Sequence, residues 1–168
     1  MTRTIKLKTF LPYPQETVWQ ALTDQVLLGS WFMENNIEPT PGHYFTFRMK
    51  PQKGWDGITH CEVMAVEPQK YIAYTYRGEA TGEKALACAG IHSDKADKLT
   101  KGIFTKLDTV LSFTLEPTCG GTILHLEHSG YKGIKLVIVS FIMQMGWKKQ
   151  LRKKLPKVLE QMINEGIN

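Results

Sequence analysis

Cysteine is scarce in this 168-residue chain: Cys61, Cys88 and Cys119 make an odd set with no Cys-x-x-Cys pair. That argues against a disulfide framework and against a dithiol or thiolate metal site, and leaves reduced thiols in a cytoplasmic protein as the expectation. Long apolar runs are missing as well. The longest greasy stretch, Leu136 to Trp147, is interrupted by Ser140 and Gln144, whereas a membrane span needs roughly 20 residues. The opening residues, Met1 to Lys8, alternate like a strand and lack the apolar core of a signal peptide. No linker rich in Ser, Gly or Pro divides the chain and no repeat recurs, so one domain over 1–168 is expected, and 42% hydrophobic residues suffice for a sizeable core.

Catalytic and cofactor motifs are equally sparse. There is no Gly-x-Ser-x-Gly elbow, and Gly54-x-x-Gly57 lacks the Lys-Ser or Lys-Thr that would make it a phosphate loop. Five histidines are scattered. His125-x-x-His128 on a strand would point its rings to opposite faces, and no three ligands have zinc spacing. Neither a metal nor a cofactor is expected. The net charge is +5, concentrated in Lys148, Lys149, Arg152, Lys153, Lys154 and Lys157. With no aromatic residues among them, these read as the solvated face of a helix rather than a nucleic-acid surface.

What is present is a run of strands closed by one long helix. Thr4 to Phe10 alternates as a first strand, with Ile5, Leu7 and Thr9 on one face. Pro14 suits the first turn of a helix, where a missing N–H is harmless. Thr23-Asp24 stops that helix and can cap a second one, Gln25 to Trp31. His43–Met49, Ile58–Glu67, Tyr71–Arg77, Val110–Glu116 and Ile123–His128 follow as strands, with Lys53–Gly57 as a turn and Cys119-Gly120-Gly121 inside a hairpin. From about Lys135 to Met162 the period becomes helical. Pro156 should kink that helix, and Gly146 should let the sheet come close. Between Gly78 and Asp108 the pattern dissolves except for a helical hint at Ser93–Leu99; a loop of this length is either a lid or an insertion.

These motifs, in this order, resemble a known family. Pro14-Gln15-Glu16-Thr17-Val18-Trp19-Gln20-Ala21-Leu22-Thr23-Asp24 followed by Trp31-Phe32 is similar to the N-terminal signature of SRPBCC (START-like) domains, in the subgroup named after the activator of the heat-shock protein 90 ATPase (AHSA-type). Cys61 to Pro68, His128-Ser129-Gly130-Tyr131 and Gly146-Trp147 through Leu151 are similar to its central strand, closing strand and helix. The resemblance implies an α+β helix-grip fold: a curved antiparallel sheet of about six or seven strands around a long C-terminal helix, with two short helices after the first strand.

Alternation then nominates the residues between sheet and helix. Trp31, Phe45, Phe47, Val63, Tyr74, Tyr76, Phe113, His128, Phe141 and Met145 are expected to border one cavity, with Phe141, Met145 and Leu151 turned to the sheet. The leading expectation is binding of a small hydrophobic or aromatic molecule, lipid-like or polyketide- or flavonoid-like, with no catalytic residue. It rests on the inward aromatic set, the missing catalytic constellation and the resemblance. Two alternatives stay open: a co-chaperone-like module with a protein partner and a role in stress response, and a cyclase or hydrolase using His128. An inward carboxylate near His128 would favour the last, an exposed apolar patch beside the basic face the second, and an open apolar cavity the first. Oligomeric state is not fixed by the sequence.

Overall fold

In a computed structural model, residues 1–51 and 55–166 are described. β1 (Thr2–Leu11) leads through Pro12 and Pro14 into α1 (Gln15–Thr23) and α2 (Gln25–Trp31). As expected from the sequence, Asp24 caps α2: its carboxylate accepts the Val26 and Leu27 N–H groups, each at 2.9 Å. Six strands follow among the described residues before the long helix: a two-residue β2 (Glu34–Asn35), then β3 (Tyr44–Arg48), β4 (Ile58–Glu67), β5 (Tyr71–Thr81), β6 (Phe104–Thr118) and β7 (Gly121–Lys132). All pair antiparallel in the order β1-β7-β6-β5-β4-β3-β2. This is the expected helix-grip sheet, wrapped around α5 (Ile134–Lys149), a π-helical turn (Gln150–Lys154) and α6 (Leu155–Asn164). The expected turn at Lys53–Gly57 lies partly outside the described residues.

The segment 78–108, where the sequence shows a pattern only at 93–99, is mostly strand and helix. β5 runs on to Thr81 and β6 starts at Phe104, pairing Thr81 with Phe104. Between them sit α3 (Gly82–Ala89) and α4 (Asp94–Thr100); only α4 had left a trace in the sequence. Part of its apolar content forms one cover: Ala85, Leu86, Ala89 and Ile103 are buried, while Leu99 and Phe104 are exposed. α3 lies over the open end of the grip and packs on α5.

That contact explains Gly146 differently from the expectation. A Cβ there would stand 2.9 Å from the Cα of Ala89, so glycine admits α3, not the sheet. At Pro156, where a kink was expected, the regular α-helix is interrupted by a π turn. Pro156 occupies the second residue of α6, directly after the π turn; the widened turn accommodates the ring and the lost N–H, and the chain continues as helix rather than breaking.

The rotation of α5 requires a further correction. Phe141 and Met145 are 56% and 53% exposed and point away from the sheet. Leu136, Val139, Ile142, Met143, Trp147, Leu151, Leu155, Val158, Leu159 and Met162 form the buried series. Because α5 is apolar nearly all round, periodicity alone does not orient it. The series through 138, 141 and 145 runs on into Lys148, Lys149 and Arg152, which are exposed, so it cannot be the inner one.

Candidate functional site

The inward face of the sheet carries an aromatic layer. Phe45 and Phe47 from β3, Val63 from β4, Tyr74 and Tyr76 from β5, Phe113 from β6 and Trp31 from α2 are all buried. Phe45 meets Tyr74 edge-on at 5.1 Å between centroids, and Phe113 meets Trp147 of α5 at 6.2 Å. Phe32, which sequence reasoning placed only in a motif, joins the halves: its ring centroid is 4.8 Å from both Phe47 and Trp147. The structure thus brings together Trp31, Phe45, Phe47, Val63, Tyr74, Tyr76, Phe113 and His128, and leaves Phe141 and Met145 outside. The rings touch instead of lining an open chamber. Where this interior meets α3 and the π turn, a cleft of about 70 Å³ is rimmed by Phe32, Met33, Met49, Cys88, Lys149 and Gln150. Hollows of about 480 Å³ exist, but they lie among charged and polar side chains such as Lys6, Glu127, Arg77 and Asp108 on the opposite face of the sheet.

His128 is fully buried, and its surroundings fix its state. Thr109 donates its hydroxyl proton to the Tyr76 carbonyl at 2.8 Å, so its oxygen accepts from His128 Nε2–H at 2.9 Å. The other ring nitrogen, Nδ1, accepts from the Trp147 indole N–H at 3.2 Å and from the Tyr131 hydroxyl at 3.0 Å. Both nitrogens are occupied in the neutral ring, and burial, aided by the positive charge of Lys84, pushes its pKa down to about 3. His128 and Tyr131 both point inward although three residues apart. Gly130, at φ +100°, lets β7 slip there, and the β1–β7 register shifts opposite, between Arg3 and Ile5.

Four side chains of this interior have polar atoms with no hydrogen-bond partner among the described residues: the hydroxyls of Thr59, Tyr74 and Tyr76, and the Lys84 ammonium. Thr59 and Cys61 share the inward face of β4 with Val63, a period-two signal legible in the sequence. Lys84 comes from α3 and was not. Its Nζ stands 4.7 Å from the Trp55 ring centroid and 6.0 Å from that of Tyr76. Burial lowers the pKa of Lys84, opposed by Cys88, Asp56, Cys61 and Glu79. Burial, followed by the neighbouring Cys61, raises the pKa of Tyr74 well above the usual phenol value. Tyr76 is raised likewise, first by burial and then by the two thiols, Tyr131 adding to it and Thr59 opposing. Cys88 is pushed up to about 11 by burial, with Lys84 opposing. The two phenols and the thiol, all raised, stay protonated near neutrality and offer hydrogen-bond donors. Leaving such groups buried and unpaired costs about 1–3 kcal/mol each. Among the described residues no group of His, Cys, Asp or Glu is placed to hold a metal ion, and no helix is long and apolar enough to cross a membrane.

Comparison with known proteins decides the family. The family model described as activator of Hsp90 ATPase homolog 1-like protein matches residues 12–160. The chain belongs to this family. A crystal structure of a Mesorhizobium loti protein is 32% identical, with a TM-score of 0.72 over 95% of this chain and 98% of that one. A solution structure of a Bacillus halodurans protein is 24% identical, with a TM-score of 0.68 over 95% and 99%. The Aha1 dimer from Colwellia psychrerythraea, at 17% identity, shares the fold, with a TM-score of 0.63 over 99% of both chains. No functionally curated protein matches the chain. The SRPBCC-type helix grip and the Aha1-like family are therefore established together.

Proposed function

We propose that this domain binds a small hydrophobic or aromatic molecule, lipid-like or polyketide- or flavonoid-like, between the sheet and its C-terminal helix, without transforming it. The observation that carries this is the group of unpartnered donors on Thr59, Tyr74, Tyr76 and Lys84, set within a wall of aromatic rings. A core selected only for stability pairs or omits such groups. Here they favour an occupant with hydrogen-bond acceptors and an apolar body. The closed packing means that the occupant enters by parting α3 from α5, at the cleft beside Cys88 and Gln150. A structural neighbour, DynU16, is described as a protein of the dynemicin biosynthetic locus; at 18% identity it supports the fold alone. Native mass spectrometry of the protein purified from its host tests the reading. A retained small molecule, released on denaturation, supports it. Empty protein, together with no thermal shift across a library of aromatic and acyl compounds, argues against it.

A second reading, a co-chaperone-like module that docks on a protein partner, draws on a different observation. Ile134, Phe141 and Met145 form an exposed apolar strip on α5 that continues into Lys148, Lys149 and Arg152. Arg3 braces it: its guanidinium lies 4.0 Å above the Phe141 ring and bonds Ser140 and Gln144. Replacing Phe141 and Met145 by Ser should abolish capture of a chaperone partner if this reading holds, and leave small-molecule retention intact. The hydrolase or cyclase reading gains no support: among the described residues no carboxylate contacts His128, and both of its nitrogens are engaged within the core.

A further inference from the structure

We infer that the occupant of this interior is an anion, an apolar or aromatic body ending in a carboxylate, and that Lys84 is its anchor. The inference rests on the interior-binding reading above and adds the charge of the ligand and the residue that meets it. Lys84 is 3% exposed and forms no ion pair among the described residues. Its Nζ lies near the faces of Trp55 and Tyr76, which attract a cation without neutralising it, while Asp56 and Glu79 act on it through space without forming an ion pair. Its position on α3 points the same way. Thr81 caps the helix by accepting the Lys84 N–H at 2.9 Å, so the lysine sits in the first turn, where the helix dipole already places positive charge. A buried ammonium at that end is disfavoured twice, by desolvation and by the dipole, and a carboxylate relieves both.

The hydroxyls complete the reception. Tyr76 and Thr59 stand near enough for Thr59 to oppose the rise in the Tyr76 pKa, neither hydroxyl makes a hydrogen bond of good geometry, and Tyr74 stands two residues along the same strand. A carboxylate has two oxygens and about four lone-pair sites for these donors. The route is built into α3 as well: Cys88, one turn beyond Lys84 on the same face, lines the cleft beside the π turn, so a molecule entering there meets the ammonium one turn deeper. When α3 closes, it brings the cation onto its ligand.

Naphthoate and the neutral naphthylmethanol, titrated into the full chain by calorimetry, test the assignment, with Lys84→Met and Lys84→Arg as variants checked for folding by circular dichroism. The wild type is expected to prefer the acid at least about tenfold, in line with a charge-assisted bond in a dry site. Lys84→Met should lose that preference, and Lys84→Arg should retain it. Equal binding of acid and alcohol by the wild type, or a preference that survives in Lys84→Met, overturns the anion assignment alone. Failure of the wild type to bind either compound counts against the interior reading and the assignment with it. If Lys84→Met does not fold, the wild-type preference and its loss in a Tyr76→Phe, Thr59→Val double variant decide.

Discussion

Acidification should expose the role of His128. In the folded protein its pKa is held near 3, against about 6.5 in an unfolded chain. The folded state therefore binds this proton less readily than the unfolded state. The resulting stability is fully present above about pH 6.5 and is lost as the pH falls toward 3. Over the whole window the difference amounts to about 5 kcal/mol, and between pH 7 and pH 5 to about 2 kcal/mol. The geometry shows why: a second proton would have to go on Nδ1, where the Trp147 N–H and the Tyr131 hydroxyl already donate. Urea unfolding at pH 7 and pH 5, for the wild type and for His128→Gln, isolates the effect. Gln cannot titrate, so the variant, less stable at pH 7 by about 1–3 kcal/mol through orphaned partners, should lose about 2 kcal/mol less than the wild type on acidification. Parallel losses in the two proteins would refute the neutral, core-bonded histidine.

Other perturbations bear on the same geometry. Lys84→Met removes a buried, unpaired ammonium and should leave the empty protein as stable or more so, by about 1 kcal/mol, in contrast to most core substitutions; chemical denaturation reads this out. Gly146→Ala drives a Cβ against Ala89 and should cost about 1–3 kcal/mol, with faster hydrogen exchange in α3. Phe141→Ser should change stability by no more than about 0.5 kcal/mol, whereas Phe113→Ala should cost about 3–5 kcal/mol; thermal melts of the pair compare the outer and inner faces of the grip.

Strand alternation and the caps were legible because they are local. Pro14, Asp24 and the Cys119–Gly121 hairpin each specify a turn or an end within a few residues, and Phe45, Phe47, Tyr74, Tyr76, Phe113 and His128 were assigned to the inner face by period two alone. The helix failed where its signal is weakest. Along α5 apolar residues occur on every side, and only the lysines further on show which series faces water, so Phe141 and Met145 were placed inward. The cover over the grip was hidden for another reason. α3 is a short helix of small residues that packs where Ala89 meets Gly146, a contact between positions far apart in the chain. Lys84 rides on that element, so the most consequential donor of the site had no local signature. Alternation gives the side of the sheet, not whether facing rings leave a space.

Hydrogen exchange measured on the protein as purified, and again after any bound molecule has been extracted, tests the central claim most directly. The interior-binding account predicts faster exchange in the stripped protein along α3, Gly82–Ala89, and along the facing stretch from Met143 to Leu151, with the outer sheet strands β1 and β3 unchanged. A difference confined to the exposed strip from Ile134 to Met145, or no difference at any segment, would contradict it.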